Sequence, residues 1–231
     1  MSNLLLKYAG VEIKQQDLSV LENVNLDLSR GEFVYLIGKV GAGKSTLLKS
    51  IYAELPIYRG EAEVLEYSLN AIKRKNIPKL RRKLGIVFQD FQLLTDRTVY
   101  ENLYFVLRST GWKSKIKINS RIEEVLDQVG MGHKGYKLPN QLSGGEQQRI
   151  VIARAILNSP EIILADEPTG NLDVDTSRKI IELLHKISDS GTLVVMSTHN
   201  LSLLQEYPGK VYRCENRNLQ EVTTEFFSII N

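Results

Sequence analysis

Phe33-Val34-Tyr35-Leu36-Ile37-Gly38-Lys39-Val40-Gly41-Ala42-Gly43-Lys44-Ser45-Thr46-Leu47-Leu48-Lys49-Ser50-Ile51 decides the fold. The first five residues are apolar throughout, as a strand covered on both faces of a parallel sheet must be. Gly38 to Ser45 then fits G-x-x-x-x-G-K-[ST], and the residues from Thr46 onward read as a helix. In that strand, loop and helix setting, successive backbone N–H groups can turn toward phosphate oxygens while the helix N-terminus adds its dipole. Lys44 would reach the β and γ phosphates of a nucleotide, and Ser45 would offer its hydroxyl to Mg²⁺. A plain glycine-rich turn is the bland alternative, and the flanking strand and helix argue against it.

Upstream, Val20 to Leu28 comes to alternate apolar and polar residues, as a half-buried strand does, before Ser29-Arg30-Gly31-Glu32 turns the chain. Downstream, the all-apolar texture returns at Glu161-Ile162-Ile163-Leu164-Ala165 and at Thr192-Leu193-Val194-Val195-Met196. Helical spacing lies between them. Ile122, Val125, Leu126 and Val129 fall on one face, with Ser120 and Glu123 placed as a capping box. Ile180, Leu183, Leu184 and Ile187 repeat the pattern until Ser190-Gly191 stops it. A parallel α/β core follows, interrupted from about Tyr100 to Asn158 by helices without a buried strand.

Composition fits one domain of ordinary globular type: 231 residues, 42% hydrophobic, 25% charged, net charge +3. That excess of positive charge is too small to argue for nucleic acid. Cys214 stands alone, which excludes an internal disulfide and suits a reducing compartment. The first residues lack the pattern of a signal peptide, and no apolar run approaches the roughly 20 residues that span a bilayer. Any work at a membrane would therefore need a partner.

A second chemical element is Asp166-Glu167, which follows the strand Ile162 to Ala165. Carboxylates at the carboxyl end of a parallel strand lie where α/β sheets bind ligands. Asp166 could hold Mg²⁺, and Glu167 could take a proton from water attacking the γ-phosphate in line.

Leu142-Ser143-Gly144-Gly145-Glu146-Gln147-Gln148-Arg149 is similar to the signature of ATP-binding cassette (ABC) ATPases. Further elements of that family occur in order: Gln89 matches its Q-loop, Asn171-Leu172-Asp173 its D-loop, and His199 its switch histidine. The resemblance covers essentially the whole chain. It implies an α/β fold with a P-loop NTPase (RecA-like) core, a parallel sheet, an N-terminal antiparallel β subdomain and a helical insertion. One domain would span 1–231, with a core lobe at about 1–88 and 160–231 and a helical subdomain at about 89–159. Two copies would meet head to tail on binding ATP. Each ATP would lie between the loop of one copy, Gly38, Lys39, Val40, Gly41, Ala42, Gly43, Lys44, Ser45 and Thr46, and the Ser143, Gly144, Gly145 and Gln147 segment of the other. Gln89 and Asp173 would complete its contacts. Mg²⁺ would sit on Ser45, Gln89 and Asp166, while Glu167, His199 and Lys44 would carry catalysis.

The stretch Asp90 to Asn102, above all Leu93-Leu94-Thr95-Asp96-Arg97-Thr98-Val99, resembles the cell-division branch of the family. That branch implies an ATPase on the cytoplasmic face of the inner membrane, held there by a transmembrane partner and binding no nucleic acid. ATPases of lipoprotein release and macrolide-type export are the alternatives, and a non-catalytic ATP-gated clamp is the alternative of another class. Glu167 and His199 argue against a silent clamp. Family members of DNA repair carry long coiled-coil insertions, for which 231 residues leave no room.

The chain departs from the family in two places. Val11 to Gln16 stands where an aromatic residue usually stacks on adenine, with Lys14 near the expected position and Tyr8 fitting only in a shifted register. Mild selectivity for ATP over GTP is the expectation, since phosphate contacts dominate affinity. Lys39-Val40 also differs from the usual residues, at positions facing away from the required contacts. Two weaker signals remain. Lys73-Arg74-Lys75, Lys79 and Arg81-Arg82-Lys83 put seven cations in eleven residues, read either as a solvated helix face or as a surface for anionic headgroups or an acidic partner. Glu221 to Phe227 reads as a short helix or a partner contact.

Overall fold

The computed structural model describes residues 3–228. The chain opens with two long strands, β1 (Leu4–Gln15) and β2 (Leu18–Ser29), before β3 (Phe33–Ile37) and α1 (Lys44–Ile51). It continues through β4 (Arg59–Val64), β5 (Tyr67–Ser68), α2 (Ile77–Arg82) and β6 (Leu84–Val87). Helices α3 (Val99–Ser109), α4 (Lys115–Gln128) and α5 (Gly144–Ile156) follow without an intervening strand. The remainder is β7 (Ile162–Asp166), α6 (Val174–Asp189), β8 (Leu193–Ser197), α7 (Ser202–Glu206), β9 (Lys210–Glu215), β10 (Asn218–Glu221) and α8 (Thr223–Ser228).

These strands form two sheets. One is antiparallel, in the order β2-β1-β4-β5. The other runs β10-β9-β3-β8-β7-β6 and is parallel except for the β9–β10 hairpin. The all-apolar strands are explained by what lies on each side of this second sheet. Val34, Leu36, Leu164 and Val195 enter a core shared with α1 and the antiparallel sheet. Their neighbours Phe33, Tyr35, Ile163 and Met196 enter a core shared with α3 to α6. Because side chains alternate faces along a strand, both faces must be apolar to fill two cores. At roughly 1.5 to 3 kcal/mol for each large aliphatic side chain buried, these strands hold the sheet between its layers.

The helix at 115–128 starts earlier than its capping pattern suggests. Ser120 and Glu123 are not its cap: Ser120 lies inside α4, and Ser114 is the N-cap, its side chain accepting from the Lys117 N–H. Ile118, one turn before Ile122, is also buried and extends the apolar face. Ile116, two residues before Ile118, is exposed and breaks the pattern there. In α3, Thr98 and Glu101 form a true capping box, each side chain meeting the other's backbone N–H. Residues 223–228 are a short helix, with Phe226 buried against the core.

Candidate functional site

Three neighbouring strands of the parallel sheet, β3, β8 and β7, end side by side, and the chain leaving each one carries polar groups to a common place. From β3 comes the loop. Gly38 has φ 145°, and a Cβ there would lie 2.4 Å from the Cys214 carbonyl oxygen, so only glycine lets the loop turn this tightly. Lys44 and Ser45 then begin α1. The Lys44 ammonium is only 5% exposed and donates to the carbonyls of Gly38 at 2.8 Å and Lys39 at 3.1 Å. Those bonds lay the side chain back along its own loop. Val40 is 92% exposed at the loop's tip.

From β7 come the two acids. Asp166 Oδ1 accepts from the Ser45 hydroxyl at 3.0 Å and from the Ser197 hydroxyl at 2.6 Å. Glu167 is held in the left-handed region at φ 45°, a conformation that costs a non-glycine residue roughly 1 to 2 kcal/mol. Its backbone N–H donates to Ser197 Oγ at 2.9 Å. From β8 come Ser197 and His199. The His199 Nδ1 lies 3.0 Å from Glu167 Oε2; a carboxylate can only accept, so the imidazole N–H is the donor. Glu167 Oε1 is 3.9 Å from the Lys44 ammonium. The carboxylate is thus set between a histidine and a lysine, beside the Ser45–Asp166 pair.

Gln89, which follows β6, lines the concavities on both sides of this group. One is a cleft of about 480 Å³ bounded by Lys44, Ser45, Gln89 and Glu167 on one wall and by Leu18, Val20 and Arg217 on the other. Arg217 was not foreseen. It sits in the β9–β10 turn at φ 61° and reaches toward β2, where its guanidinium lies 3.3 Å from Glu22. Neither residue weighed at the adenine position lines this cleft. Tyr8 is fully buried, its hydroxyl bonded to Ser50 Oγ at 3.0 Å with its pKa pushed well up by burial, so it has no free face for adenine. Lys14 pairs with Glu12 at 3.5 Å and does not line the cleft.

The Ser143 to Gln147 segment stands apart from the phosphate loop within one chain and lines neither of these concavities. Ser143 caps α5, and both its N–H and its hydroxyl bond to Glu146, which is also held by Lys134. Those bonds hold the Glu146 carboxyl below its usual range. Gly145 is required by packing, since a Cβ there would meet the Thr176 methyl at 2.4 Å, and the Gln147 amide donates to Leu142 O. Asp173 caps α6 by accepting from the Thr176 N–H at 2.9 Å, which lowers its pKa.

A strand, a phosphate loop and a helix, with an acidic pair at the end of a nearby strand of the same sheet, define a P-loop nucleoside triphosphatase. The chain belongs to the ABC transporter family, which it matches over residues 21–170. It is 46% identical over 198 residues to the cell division ATP-binding protein FtsE of Streptococcus pneumoniae serotype 2 (strain D39), with 86% of each chain covered. Against FtsE of Escherichia coli K12 the identity is 43% over 184 residues, covering 80% of this chain and 82% of the relative. The dimeric, post-hydrolysis ATP-binding cassette MJ0796, bound to ADP and Pi, superposes with a TM-score of 0.82 at 35% identity, over 94% of this chain and 97% of that one. The protein is an FtsE-like ABC ATPase that binds ATP and hydrolyses it to ADP and phosphate.

Proposed function

We propose that two copies of this chain close on ATP head to tail and that hydrolysis reopens them, driving a membrane partner of the FtsX type during cell division. The observation that carries the chemical part is the Glu167 carboxylate, fixed between His199 and Lys44 at the end of the strand that also presents Asp166. Water attacks the γ-phosphorus in line, Glu167 accepts its proton, and ADP leaves. Lys44 swings from its two loop carbonyls onto the β and γ phosphates. His199 orients the base through Nδ1.

The donors present fit Mg²⁺. Ser45 Oγ and Asp166 Oδ1 are hard oxygens 3.0 Å apart, with the Gln89 amide lining the same cleft. A site with so few protein ligands suits an ion that keeps its waters and takes the rest of its shell from phosphate. When bound, Mg²⁺ would be held by Ser45, Asp166 and Gln89 and would supply neutralising charge to the phosphates of the nucleotide.

The far side of each ATP falls to the other copy, where Ser143 and Gly145 at the start of α5 aim N–H groups and a helix dipole at the γ-phosphate. This needs the Ser143 N–H to exchange Glu146 for phosphate. Support for pairing comes from the solved dimeric state of MJ0796, and support for a cell-division role from the FtsE relatives. No helix among the described residues is long and apolar enough to cross a membrane, so the partner supplies the span at the inner membrane's cytoplasmic face.

Glu167→Gln tests the proposal. It keeps the shape and the acceptor for His199 while removing the base, so turnover should fall about 10² to 10⁴-fold, with ATP still bound and the dimer trapped. Near-normal hydrolysis by this variant would take the base role from Glu167.

A further inference from the structure

The seven cations of residues 73–83 divide into two sets. Arg81 is exposed but partnered, its Nε donating to Tyr52 O at 3.0 Å and its guanidinium lying 5.7 Å from the Tyr52 ring centroid. Lys83 is held by Glu66 at 2.8 Å and Glu161 at 3.6 Å. The other five, Lys73, Arg74, Lys75, Lys79 and Arg82, are exposed, and among the described residues none of their side chains has an ion pair or hydrogen-bond partner.

Three of the five share one side. Lys75, Lys79 and Arg82 fall at i, i+4 and i+7 along a single-turn 3₁₀ segment, Arg74–Asn76, and α2, while Leu80 on the opposite side is fully buried. No Asp or Glu occurs from residue 67 to residue 89, so nothing on the same stretch neutralises the ridge. These five charges exceed the net +3 of the entire chain, which leaves the remainder acidic on balance and gives the molecule a positive pole. Such a pole is paid for in self-repulsion unless it faces anions. No aromatic residue interleaves the cations, so the ridge lacks the platform on which nucleic-acid bases stack. Lysines and arginines spaced along a short exposed ridge match a plane of anionic headgroups instead.

We propose that this ridge docks the protein directly on anionic phospholipid, giving the chain a membrane contact of its own in addition to the one made through its partner. The inference rests on the reading of the chain as a subunit that works against a membrane. The test is co-sedimentation of the full chain alone with vesicles that are one third phosphatidylglycerol in phosphatidylcholine, and with pure phosphatidylcholine. The comparison variant carries Lys73→Gln, Arg74→Gln, Lys75→Gln, Lys79→Gln and Arg82→Gln together. Each cation close to an anionic leaflet multiplies partitioning about fivefold, so the variant should lose at least about a hundredfold in binding. Wild-type binding should vanish on pure phosphatidylcholine and in molar salt. The thermal midpoint and ATP turnover in solution should be unchanged in the variant, showing that it is folded.

Equal sedimentation of variant and wild type overturns the proposal. So does failure of the wild type to bind phosphatidylglycerol vesicles, or tighter binding to duplex DNA than to the vesicles at the same salt. If turnover is absent in both proteins while vesicle binding still follows the five charges, the ATPase reading fails and the lipid contact stands.

Discussion

Replacing Ser197 by alanine removes one hydroxyl that organises both acids of the site. That hydroxyl donates to Asp166 Oδ1 at 2.6 Å and accepts from the Glu167 N–H at 2.9 Å, in a place with no solvent exposure. A bond to a charged group contributes about 1.5 to 3 kcal/mol and a neutral one about 0.5 to 1.5, so the expected loss of stability is about 2 to 4 kcal/mol. In a chain of this size that lowers the thermal midpoint by roughly 5 to 15 °C. The kinetic effect has a separate cause. Glu167 is in the left-handed region, and the Ser197 bond to its N–H, beside the Gly170 N–H bond to its carbonyl, helps keep it there. Released, the carboxylate shifts, and a misplacement of about 1 Å can cost 10²-fold. Turnover at saturating ATP should fall about 10 to 100-fold, with KM for ATP changed by less than about threefold because the phosphate loop is untouched. Steady-state phosphate release over a range of ATP concentrations, beside a thermal melt, reads both effects. A variant that melts earlier but turns over normally would refute Ser197 as the positioning residue for Glu167; so would a raised KM with turnover intact.

Two further substitutions probe the frame. His185 stacks on Phe33 at 3.8 Å between centroids, and burial holds its pKa below the usual imidazole value, against a smaller upward pull from Asp189. Below about pH 6.5 the unfolded chain takes up a proton that the folded one refuses, so stability should fall as pH drops from there toward the folded pKa. His185→Phe keeps the stack and should flatten that slope in urea midpoints measured between about pH 5 and 8; an unchanged slope would assign it to other groups. Gly145→Ala should destabilise by about 1 to 3 kcal/mol, because the new methyl meets Thr176 Cγ2, and adding Thr176→Ser, which deletes that methyl, should recover most of the loss in denaturant titrations.

What could be read in advance followed from regular spacing. Strands that are apolar on both faces, the glycines of the loop, and Asp166-Glu167 at a strand end all announce themselves because sheet periodicity and backbone geometry constrain residue type. Ser197 did not, since a serine at the end of a buried strand carries no pattern; its importance appears only when β7 and β8 pair in register, Asp166 opposite Ser197. Arg217 escaped for a similar reason. It belongs to a turn nearly two hundred residues from the Val20 and Glu22 strand it faces. Tyr8 fitted the base only in a shifted register, and an aromatic near the start of the chain also suits a core. The buried Ser50 hydroxyl beside it, visible only in three dimensions, decides for the core.

The pairing of β3 also bears on how the protein is made. Strands β1, β2, β4 and β5 form their ladders only among themselves, within residues 4–68, although the apolar face of their sheet also packs on Leu164 and Val195. In contrast, β3 pairs with β8 and β9, so Phe33 waits for Val194, roughly 160 residues later. Closing so long a loop is slow, and it cannot begin before Val194 has been made. Until then the phosphate loop hangs on an unpaired strand. A nascent chain that holds only the first strands is therefore unable to grip a nucleotide, and ATP, which favours the completed site, acts as a check that β8 and β9 have arrived.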